Sequence, residues 1–286
     1  MDERSHLVRS QTDTNLTSLI LGIFAVMIAY NTMLLISFRT RSYIFYVSYL
    51  LCWFFSLVIS NQYAALYIFP SGVGGLLADV AVRVCGLGIM IFSCLFARSF
   101  LALHLYDSKA SKLLLLLVGF FCVAVPIGVF LDQHIIYQAV YQIVAIPAML
   151  YSGYITLRKG YRPAWFFVVG WAFLMIGTLV SNAMLLEVLP YNYYLSFSTE
   201  YGAVVVCVLF ALGLGDKMHL KQVEAKKEIE ILNEELQIKI AEIKEKEKAR
   251  TIFFNNTSHE LRTPLNGIIG YLEMLERGRR FKVSDE

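Results

Sequence analysis

The sequence predicts an all-α membrane protein: a bundle of seven transmembrane helices followed by a cytoplasmic coiled coil and one further amphipathic helix. Three observations carry this prediction. Of the 286 residues, 57% are hydrophobic and 16% charged, a balance that excludes an ordinary water-soluble domain. Long apolar blocks separated by short polar breaks recur as far as Gly215. Beyond Gly215 the charge density rises and the apolar residues fall on one helical stripe. The net charge of +3 is too small, and the basic residues too dispersed along the block edges, for binding nucleic acid. Anchors at the surface of a lipid bilayer suit them better.

Residues 1–15 are polar and lack the apolar core of a cleavable signal peptide, so they read as a short extracytoplasmic N-terminus. The first apolar block, 16–38, then doubles as the membrane-targeting signal. A helix crossing the hydrocarbon core needs roughly 20 apolar residues, because lipid offers its backbone no hydrogen bonds. Further blocks meeting that requirement lie at 43–69, 76–97, 113–131, 135–157, 164–186 and 197–215, which makes 16–215 one membrane module. Turn chemistry marks the breaks, as in Pro70-Ser71-Gly72-Val73-Gly74-Gly75 and Lys159-Gly160-Tyr161-Arg162-Pro163. Cys52, Cys85, Cys94, Cys122 and Cys207 all lie within apolar blocks and lack the spacing of a metal or redox site, so no metal is expected.

Orientation follows from the basic residues, which collect in short cytoplasmic loops. The first, third and fifth loops hold Arg39 and Arg41, then Lys109 and Lys112 with Arg98 at the helix edge, then Arg158, Lys159 and Arg162. The second, fourth and sixth hold none, and Lys217 and Lys221 follow the last block. The N-terminus is therefore expected outside and the C-terminal segment in the cytoplasm. Tyr43, Tyr46, Tyr49, Trp165, Tyr191, Tyr193 and Tyr194 are expected at the two interfaces, where amphipathic rings settle.

Two places within this module invite a functional reading. Asp79 and Arg83 stand one turn apart inside the third block, where ionisable groups are costly; they read either as an ion pair or as a ligand or coupling site. Glu187 and Glu200 flank the sixth loop and, with Tyr191, Asn192, Tyr193 and Tyr194, would make an external binding surface or simply an ordinary interface. His134, in the fourth loop, reads as a solvated loop residue.

Residues 216–250 read as a coiled-coil connector. Ile229, Leu232, Leu236 and Ile243 form a seam flanked by Glu and Lys, with Lys239 at the skipped position, about three heptads long. In 251–286, Leu261, Leu265, Ile268, Leu272 and Leu275 alternate steps of four and three, as in a helix packed into a bundle. Extending that seam backwards meets Ser258 and Phe254, which leaves His259 one residue off the stripe, facing water. The two seams differ by one position between Ile243 and Leu261, a stutter that locally alters supercoiling.

Pro264 cannot donate to the carbonyl of Glu260 and is expected to act as a bend or hinge just after the histidine. A nucleophilic imidazole must be neutral at its attacking nitrogen, and a neighbouring carboxylate such as Glu260 can accept from the other ring nitrogen. Thr263, one turn on, is placed to hold water near a phosphoryl group on His259. A zincin motif is excluded, since Thr263 stands where its second histidine belongs.

Ser258-His259-Glu260-Leu261-Arg262-Thr263-Pro264-Leu265 resembles the H-box of the dimerisation and phosphotransfer domain of sensor histidine kinases. The resemblance implies that His259 is the phosphoacceptor, that Glu260 acts as acid or base and that Thr263 supports phosphatase action. It implies ATP with Mg as the phosphoryl source, used through a catalytic domain absent from this chain, with no cofactor bound directly. It also implies a homodimer through the coiled coil and phosphotransfer helices, and a response regulator as partner. The residues to Glu286 hold only the first helix of that phosphotransfer bundle, and a fragment of a longer kinase is expected.

The membrane module is similar to bacterial seven-transmembrane receptors with diverse intracellular signalling modules. The similarity rests on Arg41-Ser42-Tyr43-Ile44-Phe45-Tyr46, Phe96-Ala97-Arg98-Ser99-Phe100-Leu101 and the stretch from Gly202 to Asp216. It implies a bacterial inner membrane and a sensory role for 16–215. Such receptors usually open with a larger external domain; here the stimulus is expected at a helix pocket or through a partner. The alternative is a non-catalytic receptor or scaffold signalling by helix association, which has no use for the Ser258–Leu265 stretch. A transporter would require internal repeats or paired broken helices, and the sequence displays neither.

Overall fold

In a computed structural model the described residues, 3–60, 74–130 and 140–283, are helices joined by short turns, with no strand among them. The end of the second expected span, 61–69, most of the glycine-rich break after it, and 131–139 with His134 lie outside the described residues.

Helix α1 (Glu3–Phe38) begins well before the apolar block and stops where Arg39 turns left-handed, at φ 47°. Helix α2 (Arg41–Ser60) follows, then α3 (Gly74–Phe100), which runs on past the expected end at 97. A left-handed Ala102 (φ 48°) starts the short α4 (Leu103–Tyr106). The Asp107 carboxylate then accepts from the backbone N–H groups of Lys109 (3.0 Å) and Ala110 (3.1 Å), capping α5 (Ser108–Phe130). A π-helical turn, Tyr141–Ala145, leads into α6 (Ile146–Arg158). The expected break at Lys159–Pro163 reverses the chain through Gly160 at φ 88°, and α7 (Ala164–Leu185) begins directly after Pro163. Asn192 caps the short α8 (Tyr193–Ser196), and α9 (Ser198–Val283) runs for 86 residues. Five described helices are long and apolar enough to cross a membrane: those of the first, second, third, sixth and seventh expected spans. Helix α5 covers most of the fourth span, and the fifth opens in residues outside the described set.

The chain divides into two compact units, Met1–His219 and Leu220–Glu286. In the first, α2 packs on α1 and α3, α3 on α5, and α6 on α7. Lipid is as apolar as leucine, so association here depends on close packing and interhelical hydrogen bonds rather than on a hydrophobic drive. Phe210 supplies the packing for α9, with ring centroids 4.8 Å from Phe96 of α3 and 5.3 Å from Phe167 of α7. Tyr46 of α2 closes the cluster, 5.4 Å from Phe96, and its hydroxyl donates to the Cys207 carbonyl. Each aromatic pair adds about 0.5–1.5 kcal/mol beyond the area it buries.

The placement of Tyr43, Tyr46 and Tyr49 corrects the expectation from sequence: all three are buried inside the bundle. Their spacing of three keeps them on one face of α2, and that face meets the core. Trp165, Tyr191 and Tyr194 do stay exposed. The bundle turns Ile36, Leu116, Ile176 and Leu179 outward, as a lipid-facing surface requires. In the second unit Ile229, Leu232, Leu236 and Ile243 are all more than half exposed, an apolar row with nothing on it in a single chain.

Candidate functional site

The Ser258–Leu265 stretch lies on α9, whose helical state continues unbroken through Pro264. His259, Glu260, Arg262 and Thr263 are all exposed, and so, in the single chain, are Leu261 and Leu265 of the apolar stripe beside them. The Thr263 hydroxyl donates to the His259 carbonyl at 3.4 Å, one turn back along its own helix. Thr257 does the same to Phe253 at 2.8 Å, and Arg250 lies over the Phe254 ring at 5.5 Å. The exposed Glu242–Lys246 pair, 2.6 Å apart, contributes at most a few tenths of a kcal/mol.

Where α9 leaves the apolar core, Lys217 makes a set of contacts that sequence reasoning missed. Its buried ammonium donates to the carbonyls of Ser99 (2.7 Å) and Phe100 (3.0 Å) and to Ser42 Oγ (3.1 Å). The Ser42 and Ser99 hydroxyls lie 2.9 Å apart, and the Tyr161 hydroxyl donates to the same Phe100 carbonyl at 3.1 Å. The last carbonyls of α3 thus receive a cation, as the negative end of a helix dipole favours. Basic and hydroxyl side chains from α2, α3 and α9 meet at one point.

At the other end of the bundle α7 and α9 run close together. A Cβ on Gly202 would lie 2.9 Å from the Leu174 Cα, and one on Gly177 would collide with the Ser198 backbone. Ser181 Oγ lies 2.9 Å from both Ser198 Oγ and Thr199 Oγ1, and Ser198 Oγ donates to the Gly177 carbonyl at 2.9 Å. Small residues and hydroxyls together make a membrane helix interface.

The other sequence candidates divide. Glu187 and Tyr191 line one cavity beyond α7, and Glu200, half-buried, is not in its walls. Asp79 is exposed and Arg83 half-buried, one turn apart on α3. Among the described residues no three His, Cys, Asp or Glu side chains are grouped as metal ligands.

Comparison with known proteins agrees with this arrangement. Residues 13–217 match the family described as 7TM diverse intracellular signalling. Residues 249–286 match the His Kinase A (phospho-acceptor) domain. No curated protein and no solved structure matches the chain. Most of the chain lies within the first match and His259 within the second, so the chain belongs to the 7TM diverse intracellular signalling family, as a membrane receptor of the sensor histidine kinase type.

Proposed function

We propose that this chain receives a stimulus in its membrane helices and controls, through α9, the ATP-dependent phosphorylation of His259 and onward transfer to an aspartate of a response regulator. The observation that carries the reading is a single helix, Ser198–Val283, that holds both a membrane-spanning stretch and the exposed histidine. Residues 1–15 are the external N-terminus, 16–215 the sensory module, 216–250 the connector and 251–286 the first part of the phosphotransfer domain.

Within that scheme ATP, with Mg, supplies the phosphoryl group through a catalytic domain not contained in these residues. The neutral His259 imidazole attacks the γ-phosphorus, the P–O bond to the β-phosphate breaks and ADP leaves, and Glu260 takes a hydrogen bond from the second ring nitrogen as charge develops on the ring. Thr263 positions water for a separate, hydrolytic step that releases the phosphoryl group as inorganic phosphate, which requires its hydroxyl to rotate off the His259 carbonyl that it contacts here. The exposed row from Ile229 to Ile243 supports a parallel homodimer, because it has the period of a coiled-coil seam. Basic loop charges support an N-out, C-in orientation in a bacterial inner membrane. A scaffold acting by helix association would share everything except the Ser258–Leu265 stretch.

The deciding experiment mixes the chain, in lipid vesicles, with ATP and a separately produced kinase catalytic domain. Acid-labile phosphate is expected on the chain and is expected to vanish in His259→Gln. Label persisting in that variant would remove His259 as the acceptor.

A further inference from the structure

A cavity of about 520 Å3 opens where α7 ends, between its last turn, the loop that follows and α8. That volume falls in the range of small-molecule sites, roughly 300–1,000 Å3. Met184 and Leu189 give it apolar walls, Tyr191 a ring, Ser181 and Ser196 hydroxyls, and Glu187 the one charge in its lining. Glu187 is held in a left-handed backbone, φ 58°, a state that side chains other than glycine and asparagine seldom adopt. Bonds from Glu187 N to the Met184 carbonyl (3.1 Å), and from Val188 N (2.9 Å) and Leu189 N (3.1 Å) to the Ala183 carbonyl, fix that turn. No Lys or Arg occurs from Leu186 to Phe197 and none lines the cavity, so an anion in it would meet a carboxylate in the walls.

We propose that this cavity binds an organic ammonium carried on an apolar body, and that it is the receptor's stimulus site. Glu187 supplies the charge complement, the Tyr191 face adds cation–π attraction, and Met184 and Leu189 receive the hydrocarbon. The lining also leads directly to the output helix. Ser181, in the cavity wall, is hydrogen-bonded to Ser198 and Thr199 in the first turn of α9. Ser196, also in the lining, lies just before that turn. Asn182, next to Ser181, donates to Gln142 of the π-helical turn at 2.9 Å. An occupant that draws Glu187 and Tyr191 together therefore bears on the start of the helix that carries His259. The word stimulus rests on the proposed function; binding itself does not.

The test measures binding of 2-phenylethylamine, 2-phenylethanol and phenylacetate to the full chain in phosphatidylglycerol nanodiscs, without ATP or a catalytic domain. Failure here would thus leave the His259 assay untouched, and the reverse. Saturable binding of the amine alone, weakened about tenfold or more in a Glu187→Gln variant of unchanged thermal midpoint, is the expected result. Equal binding of all three compounds, binding insensitive to Glu187→Gln, or no saturable binding at all would each overturn the site. Repeating the titration in phosphatidylethanolamine-containing discs identifies the source of the ammonium: a lowered amine affinity names the lipid headgroup, and an unchanged one names a soluble amine.

Discussion

Lys217 stands on the first polar turn after the last apolar block, where a positive charge ordinarily faces the headgroups and water. Here it is buried and its ammonium meets two carbonyls and a hydroxyl, with the Phe100 ring 5.5 Å away. Lys217→Met keeps the apolar stem and removes the ammonium's three hydrogen bonds, so the Ser99 carbonyl loses this donor and the Phe100 carbonyl keeps only the Tyr161 hydroxyl. A loss of about 1–3 kcal/mol is expected, read as a lower thermal midpoint in detergent; an unchanged midpoint would mean that the ammonium is hydrated. None of this was legible in the sequence, because the partners lie 175, 118 and 117 residues away. His259 was legible for the opposite reason. The groups that give it chemical meaning, Glu260 and Thr263, lie within one turn of the same helix, so no long-range contact had to be foreseen to find them. The buried tyrosines of α2 fall between these cases: their shared face was plain from the spacing, but which surroundings that face would meet was not.

At the scale of elements, apolar runs sufficed to locate the helices, and basic and Gly-Pro breaks sufficed to end several of them. Their contacts with one another had no such signature. The crossing of α7 and α9 depends on Gly177 and Gly202, where the nearest atoms to an added Cβ are backbone atoms of the facing helix. Backbone cannot rotate aside as a side chain does, so Gly177→Val is expected to cost about 1–3 kcal/mol or more by forcing the helices apart. Gly215 makes the matched control, since a Cβ there meets no heavy atom within 4 Å. Gly215→Ala should stabilise α9 by up to about 1 kcal/mol through reduced chain entropy. Thermal unfolding of both variants in the same detergent checks the pair, and equal midpoints would show that the seam tolerates bulk. The same glycine explains a feature that composition hid. Polarity changes at Gly215, yet one glycine costs too little to end a helix that has good formers on either side, so α9 continues. The π-helical turn at Tyr141–Ala145 and the short α4 and α8 had no periodic signal to betray them.

For the whole molecule, function depends on which side of the bilayer each end occupies. Loops bearing Arg39 and Arg41, Lys109 and Lys112, and Arg158, Lys159 and Arg162 alternate with loops bearing no Lys or Arg. Retaining the basic ones on the cytoplasmic side puts Glu187 and the cavity outside, and α9 beyond Lys217 inside, where ATP is found. The opposite orientation would expose His259 to a compartment without nucleotide, so topology and chemistry stand or fall together. Cysteines introduced singly at Val188 and Lys109, both exposed, separate the two cases. Each would be placed in a chain whose five natural cysteines have been changed to alanine, and treated in intact cells with a membrane-impermeant maleimide. Val188→Cys should label at once and Lys109→Cys only after the membrane is opened. The reverse pattern would remove the kinase reading more completely than any substitution at His259, because no acceptor on the outer face can draw on cytoplasmic ATP.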